Sequence, residues 1–422
     1  MNYTSNRTYN LGMNVTRFRA LLAALLLLVA GGGTFAYFKY KRISAYLISQ
    51  ISGQASKKLG RQIKFKSISF SPLEGIVIKD ACVSRRPDFS RGDFFCAART
   101  VIRPDLFALM SNRLYFSKVA FDSPVLKARE RGGVWDFADL LALLPETSKG
   151  LYLTWNASEL TLKNAVLEAD METAGLSLVL EGANLSLRHY SAYGGNYGLT
   201  ADGSLKSAVR GKLLSAAVKL RTDANFDYGG LASIKGSFSA DNSEYGAITL
   251  ERLKADWELF NLRKPLADKN YYVTVSAERL LVPGRENSVR DSVSKGLNLF
   301  SSAMGRAAPK IEDIEMASLN AAFRLDDSRL SVRDITLRTN FIDLDAAISI
   351  DGPSKKADAS LEAGIGGNKL KMTASGPLSD PRLEPLLSAT LSDKFKEALA
   401  GIESWLLKTF PVTGDIPCPR KS

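Results

Sequence analysis

The sequence holds a single histidine, His189, so any Ser/His/acid arrangement would have to use it. His189 follows Leu185 and Leu187 on the apolar side of an alternating stretch, the place of a packed or rim residue. No Gly-x-Ser-x-Gly elbow accompanies it. Neither Gly-x-x-x-x-Gly-Lys nor Gly-x-Gly-x-x-Gly is present to cradle a phosphate, and Gly31-Gly32-Gly33 lies inside an uncharged stretch where it concerns helix packing. Asp343, Asp345 and Asp351 alternate with apolar residues, which assigns them to a solvated strand face rather than to a metal. Cys82, Cys96 and Cys418 are too few for a disulfide scaffold and lack metal-ligand spacing. The residue types therefore assign no catalytic residue, no metal and no cofactor, and the chain reads as a protein that is not an enzyme.

What must be positioned is instead a long apolar surface. Residues 20–38, from Ala20 to Phe38, are uncharged and bounded by Arg17 and Arg19 on one side and Lys39, Lys41 and Arg42 on the other. At about 1.5 Å per residue they cover most of a ~30 Å hydrocarbon core as a transmembrane helix. A cleavable signal peptide is the rival reading, since the densest apolar run is only Leu21 to Ala30. The net charge of +12 is concentrated here: no Asp or Glu precedes Glu74, whereas eleven Lys or Arg do, leaving 45 basic against 44 acidic residues in the remainder. Such a distribution suits anionic lipid headgroups and argues against a nucleic-acid partner.

Residues 1–19 read as a disordered cytoplasmic tail. After the span, Ile43, Leu47, Ile51, Ala55 and Leu59 form one helical stripe, which either lies at the membrane or packs on the first strands. From Arg61 the period changes to two. Ile63 to Phe70 is a strand with an irregularity near Ser67, Ile76 to Val83 returns, and Phe94 to Ile102 is a third strand. Pro104 then opens a short helix to Met110. Leu114 to Phe121 and Val125 to Arg129 are two strands around Ser123-Pro124, and an apolar helix runs from Ala138 to Leu144. Cys82 and Cys96 flank the loop Ser84 to Asp93. If their strands pair in an oxidising compartment the two can bond; otherwise they are small buried hydrophobes.

The succession LGRQIKFKSISFSPLEGIVIKDACVSRRPDF and CAARTVIRPDLFALMSNRLYFSKVAFDSPVLKARERGGVWDFADLLALLP resembles the N-terminal domain of AsmA-like envelope proteins, over about residues 20 to 145. Lys369 to Leu387, KLKMTASGPLSDPRLEPLL, is similar to the repeat-ending strand of the same family. The resemblance implies an AsmA-like N-terminal domain over 43–145 and a lipid-conducting β-groove or a factor in outer-membrane assembly.

Residues 146–388 alternate throughout. Leu160, Leu162 and Val166 share one side, as do Leu176, Leu178 and Leu180, then Leu185 and Leu187, and finally Ile342, Leu344, Ile348 and Ile350. One-sided strands of this kind, punctuated by turns every ten to twenty residues, predict an antiparallel meander. Residues 286–304 interrupt it as an amphipathic helix, most simply packed on the sheet. A C-terminal amphipathic helix occupies 389–410, with Leu391, Phe395, Leu399, Ile402 and Leu406 on one stripe; it caps the sheet, packs on it, or meets membrane or a partner.

The expected fold class is mostly β: an N-terminal transmembrane helix, then a long curled antiparallel sheet with a few short helices. A sheet apolar on one face and short of covering helices must close on itself as a sandwich or present the face as a groove. The family resemblance implies the groove, with the twelve apolar residues just named facing lipid. It also implies a single-pass inner-membrane protein with residues 43–422 in the periplasm. Its partners would be membrane lipids and another envelope protein at the C-terminal end. A dry structural scaffold and a binding module for envelope proteins or glycans are the alternatives.

Overall fold

The computed structural model describes residues 60–384 except 72–73, 106–115, 142–156, 190–194, 210, 228–229, 266–267, 285–289, 292, 296, 299–300, 302–306, 327, 366–367 and 379–380. The expected tail, transmembrane helix and C-terminal helix lie outside the described residues, within which no helix is long and apolar enough to cross a membrane.

The strands are β1 (Ile63–Lys64), β2 (Ser67–Ser71), β3 (Gly75–Ser84), β4 (Asp93–Pro104), β5 (Phe116–Arg131), β6 (Val134–Trp135), β7 (Glu159–Met171), β8 (Leu176–His189), β9 (Gly195–Val209) and β10 (Lys212–Asp227). They continue as β11 (Gly230–Tyr245), β12 (Ile248–Phe260), β13 (Asn270–Val282), β14 (Ile314–Asp326), β15 (Arg329–Thr339), β16 (Asp343–Asp351), β17 (Lys356–Ile365), β18 (Asn368–Pro377) and β19 (Arg382–Glu384). One helical turn, α1 (Ala138–Leu141), follows β6. Pro104 is the last residue of a strand, the helix expected to follow it to Met110 lies outside the described residues from 106 on, and Ser123-Pro124 lies inside the single strand β5. A left-handed Ser123, φ 47°, lets that strand bend without ending.

All nineteen strands belong to one sheet. β1 and β2 follow one another along the same edge of β3, and from β7 to β19 each strand pairs antiparallel with the next in the chain. The expected antiparallel meander has one exception. β5 and β7 pair in parallel, Val119 opposite Leu160 and Glu130 opposite Met171, because the chain crosses back through β6 and α1 before re-entering the sheet. The sheet thus runs unbroken past residue 145. Among the described residues no register joins β19 to β1 or β2. At about 4.8 Å per strand the sheet extends for roughly 75 Å along its curved length.

A line of extra residues crosses the strands near their middles. Asp80 in β3, Ser123 in β5, Asn164 in β7 and Gly182 in β8 all have left-handed backbones, and Asn242, Arg279 and Asp334 continue the series in β11, β13 and β15. Each coincides with a gap or shift in register, as between Leu162/Ala165, Glu181/Asn184, Ser215/Ala217 and Val332/Ile335. Bulges bend a strand and increase its twist, so their alignment creases the sheet along its long axis. Small residues occupy the crease from β4 to β9. Ala97, Ala165 and Ala183 are at most 2% exposed, and a Cβ on Gly203 would lie 3.0 Å from Leu180 Cδ1 and 3.2 Å from Ala183 Cα.

The beginning of the sheet is held by charge. Arg61, whose side chain is fully buried, donates to Asp139 of α1 at 2.7 and 3.1 Å and to the Ser84 carbonyl at 3.3 Å, with its guanidinium over the Phe94 ring.

Candidate functional site: an uncovered apolar face

Residues directly opposite each other in a sheet point to the same side, so the registers trace each face across the strands. One row runs Ile76, Ile102, Val119, Leu160, Leu187, Leu199, Thr222, Gly236, Trp257, Val273, Phe323, Val332, Ile348, Ala359, Ala374 and Leu383. Thr222 is its one polar member. A parallel row joins Ile78, Thr100, Phe121, Leu162, Leu185, Ala201, Leu220, Phe238, Ala255 and Val275. Along the crease itself lie Gly203, Val218, Ala240, Leu253, Ala277, Leu319, Leu337, Leu344, Ala363 and Leu370.

At β3 to β5 the opposite face is also apolar, with Val77, Val101 and Ala120 buried together, but from β8 onward it has the inverse chemistry. Asn184, Asp202, Lys219, Ser239, Lys254, Ser276, Asn320, Thr336, Asp345, Glu362 and Lys371 form one row with no apolar member. Its charges pair locally. A hydrogen bond from Lys369, 2.8 Å away, holds the Glu362 carboxyl below its ordinary range, and the bond from Arg338 to Asp345 at 2.6 Å raises the Arg338 guanidinium. Arg338, Asp343, Asp345, Glu362 and Lys369 also line a polar cavity of about 370 Å³ at the β15–β16 turn. That is a solvated surface. Asp343, Asp345 and Asp351 stand beside lysines and arginines, not around a shared centre.

The apolar face is largely bare. Leu160, Leu162, Leu185, Leu187, Leu220, Phe238, Leu253, Trp257, Val273, Leu337, Leu344 and Ile348 all keep partial exposure, and Phe323 is 43% exposed. Among the described residues the largest side chains under 2% exposed are Ile76, Ile350 and Pro124, followed by two serines. A filled sandwich would bury the facing Leu, Phe and Trp side chains of both layers to that degree. Here two isoleucines and a proline are the whole of it.

The residues expected to face lipid are mostly brought together on this face. Leu160, Leu187 and Ile348 lie in the first row, Leu162 and Leu185 in the second, and Leu344 in the crease. Leu176, Leu178 and Leu180 join them despite their different parity, because Gly182, φ 60°, inserts the residue that restores the face. Ile350 shares the face but is enclosed with Ala357 and Leu378, and Ile342 packs under the insertion between β13 and β14. Val166 is displaced. The left-handed Asn164 shifts the parity of β7 so that Ala165 and Leu167 carry the face on, opposite Ala183 and Leu180, while Val166 pairs with Val125 on the other side.

His189 closes one rim of the apolar face. It stacks on Tyr197 with ring centroids 4.6 Å apart, and Tyr197 meets Phe226 edge-on at 5.6 Å. Cys82 and Cys96 are directly opposite in β3 and β4, 4.1 Å apart at Cα, and are joined as a disulfide. The arrangement offers a continuous apolar strip with no charge on it, able to cover alkyl chains and to take water off them. Residues such as Val218, Phe238, Trp257 and Phe323 belong to it as fully as those read from the sequence. Alternation was their signal, obscured where bulges change parity. No protein-family model matches the chain, and no curated protein matches it either.

Proposed function

We propose that this chain is a membrane-anchored, periplasmic AsmA-like protein that carries lipid, a phospholipid foremost, along the apolar face of its sheet, in lipid transfer or in assembly and homeostasis of the outer membrane. The observation that supports the reading is the row from Ile76 to Leu383, apolar but for Thr222 and left partly exposed over most of its length. An acyl chain laid on such a strip gains about 0.8 kcal/mol per buried CH₂, so half of one chain contributes several kcal/mol. Two further features agree with it: residues 20–38 as the membrane anchor and a Cys82–Cys96 disulfide, which persists outside the cytosol. The partners in this reading are membrane lipids and, at the C-terminal end, another envelope protein. No catalytic step is assigned.

The test places a charge on each face. Leu344→Asp on the apolar side should leave a folded protein that no longer retains lipid in native mass spectrometry without detergent. Ser349→Asp, on the polar side of the same strand, should retain it. A wild type that never carries lipid, together with a Leu344→Asp protein that cannot fold, would replace the groove with a dry scaffold.

A further inference from the structure

The apolar face is bare over the middle strands but not over the last two. Met372 and Ala374 in β18 are 5% and 3% exposed, and Leu383 in β19, opposite Ala374, is 9% exposed. Met372 shares the face with Leu361 and Ala346, its partners across β17 and β16. Ala359 and Leu361, one strand earlier, keep partial exposure. In a bare single layer burial should fall toward the end, because β19 is three residues long and pairs only with β18 among the described residues.

Two covered patches flank these three residues without including them. Toward the β17–β18 turn the insertion after β13, helical at Val293 and Leu297, packs with Ile311 against Val282, Ile314, Ile342 and Ile365. Toward the β16–β17 turn Leu378 encloses Ile350 and Ala357. Met372, Ala374 and Leu383 lie between the patches on two adjacent strands, a width of about 10 Å that matches the diameter of one helix.

The sequence after β19 offers such a helix. Residues 385–388 reach about 13 Å when extended, enough to lift the chain off the strand layer and onto its face. Residues 389–410 follow with Leu391, Phe395, Leu399, Ile402 and Leu406 on one stripe, from which Asp393, Lys394, Lys396, Glu397, Glu403 and Lys408 are all absent. At about 1.5 Å per residue this segment spans about 33 Å as a helix, the length of β18 at about 3.3 Å per residue. We infer that the C-terminal segment is seated by its apolar stripe on β18 and β19 and closes that end of the apolar face. A ligand on the face then stops at β17 until the helix lifts. That consequence rests on the lipid reading; the contact itself does not.

The test uses the full chain in vesicles of phosphatidylethanolamine and phosphatidylglycerol, with Cys418→Ser removing the one thiol outside the Cys82–Cys96 disulfide. Met372→Cys is combined in turn with Phe395→Cys, Leu399→Cys and Ile402→Cys and oxidised with copper phenanthroline. At least one pair should form a disulfide within the chain, and Met372→Cys with Lys396→Cys should not. A disulfide only between chains gives the face to a second copy, and no disulfide leaves Met372 covered by something else; either overturns the contact. A second measurement needs no pairing: Met372→Cys alone should react with a maleimide about a hundredfold more slowly than the same variant carrying Leu399→Asp, the scale of a local opening. Ala359→Cys, as the control for an intact sheet, should react alike with and without Leu399→Asp. Equal rates for Met372→Cys in the two backgrounds overturn the contact. Neither measurement reads bound lipid, so loss of the groove and loss of this contact are told apart.

Discussion

Gly236 shows how tightly a single position can be set on an otherwise open face. It stands in the long apolar row between Thr222 and Trp257, and a Cβ there would meet the Arg221 carbonyl oxygen at 2.3 Å and Trp257 Cζ2 at 2.8 Å. The first obstacle is backbone, so Gly236→Ala must separate β10 from β11 locally. The expected cost is about 1–3 kcal/mol, the usual range for overpacking. Thermal unfolding checks it, and a variant as stable as wild type would mean that the two strands can part there without loss. A glycine weakens a strand interior, and the neighbouring Arg221 carbonyl and Trp257 show why a side chain is excluded here. Val166 makes the complementary point. Its alternation with Leu160 and Leu162 is plain in the sequence, yet one left-handed asparagine moves it to the other face.

Strands were the legible elements because one-sided burial imposes a period of two, and that period survives in residues 146–388 almost everywhere. The junctions were less so. Ser123-Pro124 reads as a turn by composition, but the hydrogen bonds of β4 and β7 on either side keep β5 continuous through the bulge. The parallel seam leaves no periodic signature, since either direction of β7 would show the same apolar alternation. It is stabilised by Glu130 at the end of β5, which accepts from the Thr173 hydroxyl at 2.6 Å, the Thr173 N–H at 3.0 Å and the Gly133 N–H, joining the β5–β6 and β7–β8 turns. Those hydrogen bonds, the Thr173 hydroxyl foremost, hold its carboxyl below the ordinary glutamate value. A depressed pKa adds stability that is complete above the unfolded value of about 4.3 and is lost as pH falls through the lower folded value. Glu130→Gln should therefore be less stable than wild type at pH 7 and should show a shallower loss between pH 5 and 3. Urea midpoints across that range report both, and parallel curves for the two proteins would remove Glu130 from this role.

At the scale of the molecule, the sequence left open whether Cys82 and Cys96 bond, because the answer depends on which strands pair and in what register. With β3 and β4 adjacent and the two residues opposite, alkylation of the denatured, unreduced protein should label one thiol, Cys418; three labelled thiols would mean that the pair is reduced. The described elements leave much of the apolar face exposed. Among the described residues nineteen strands and one helical turn supply a single layer, plus the insertion after β13. The order of pairing from β7 onward has a consequence for how such a molecule can change over generations. Every strand there finds its partner beside it in the chain, so duplicating or deleting a hairpin such as β10–β11 leaves its flanking strands, β9 and β12, still antiparallel and still apolar on the same side. Reach then varies in steps of about 10 Å, one hairpin at a time, without any redesign of the surface. The domain is a ruler whose markings are hairpins, and its length can be selected independently of what travels along it.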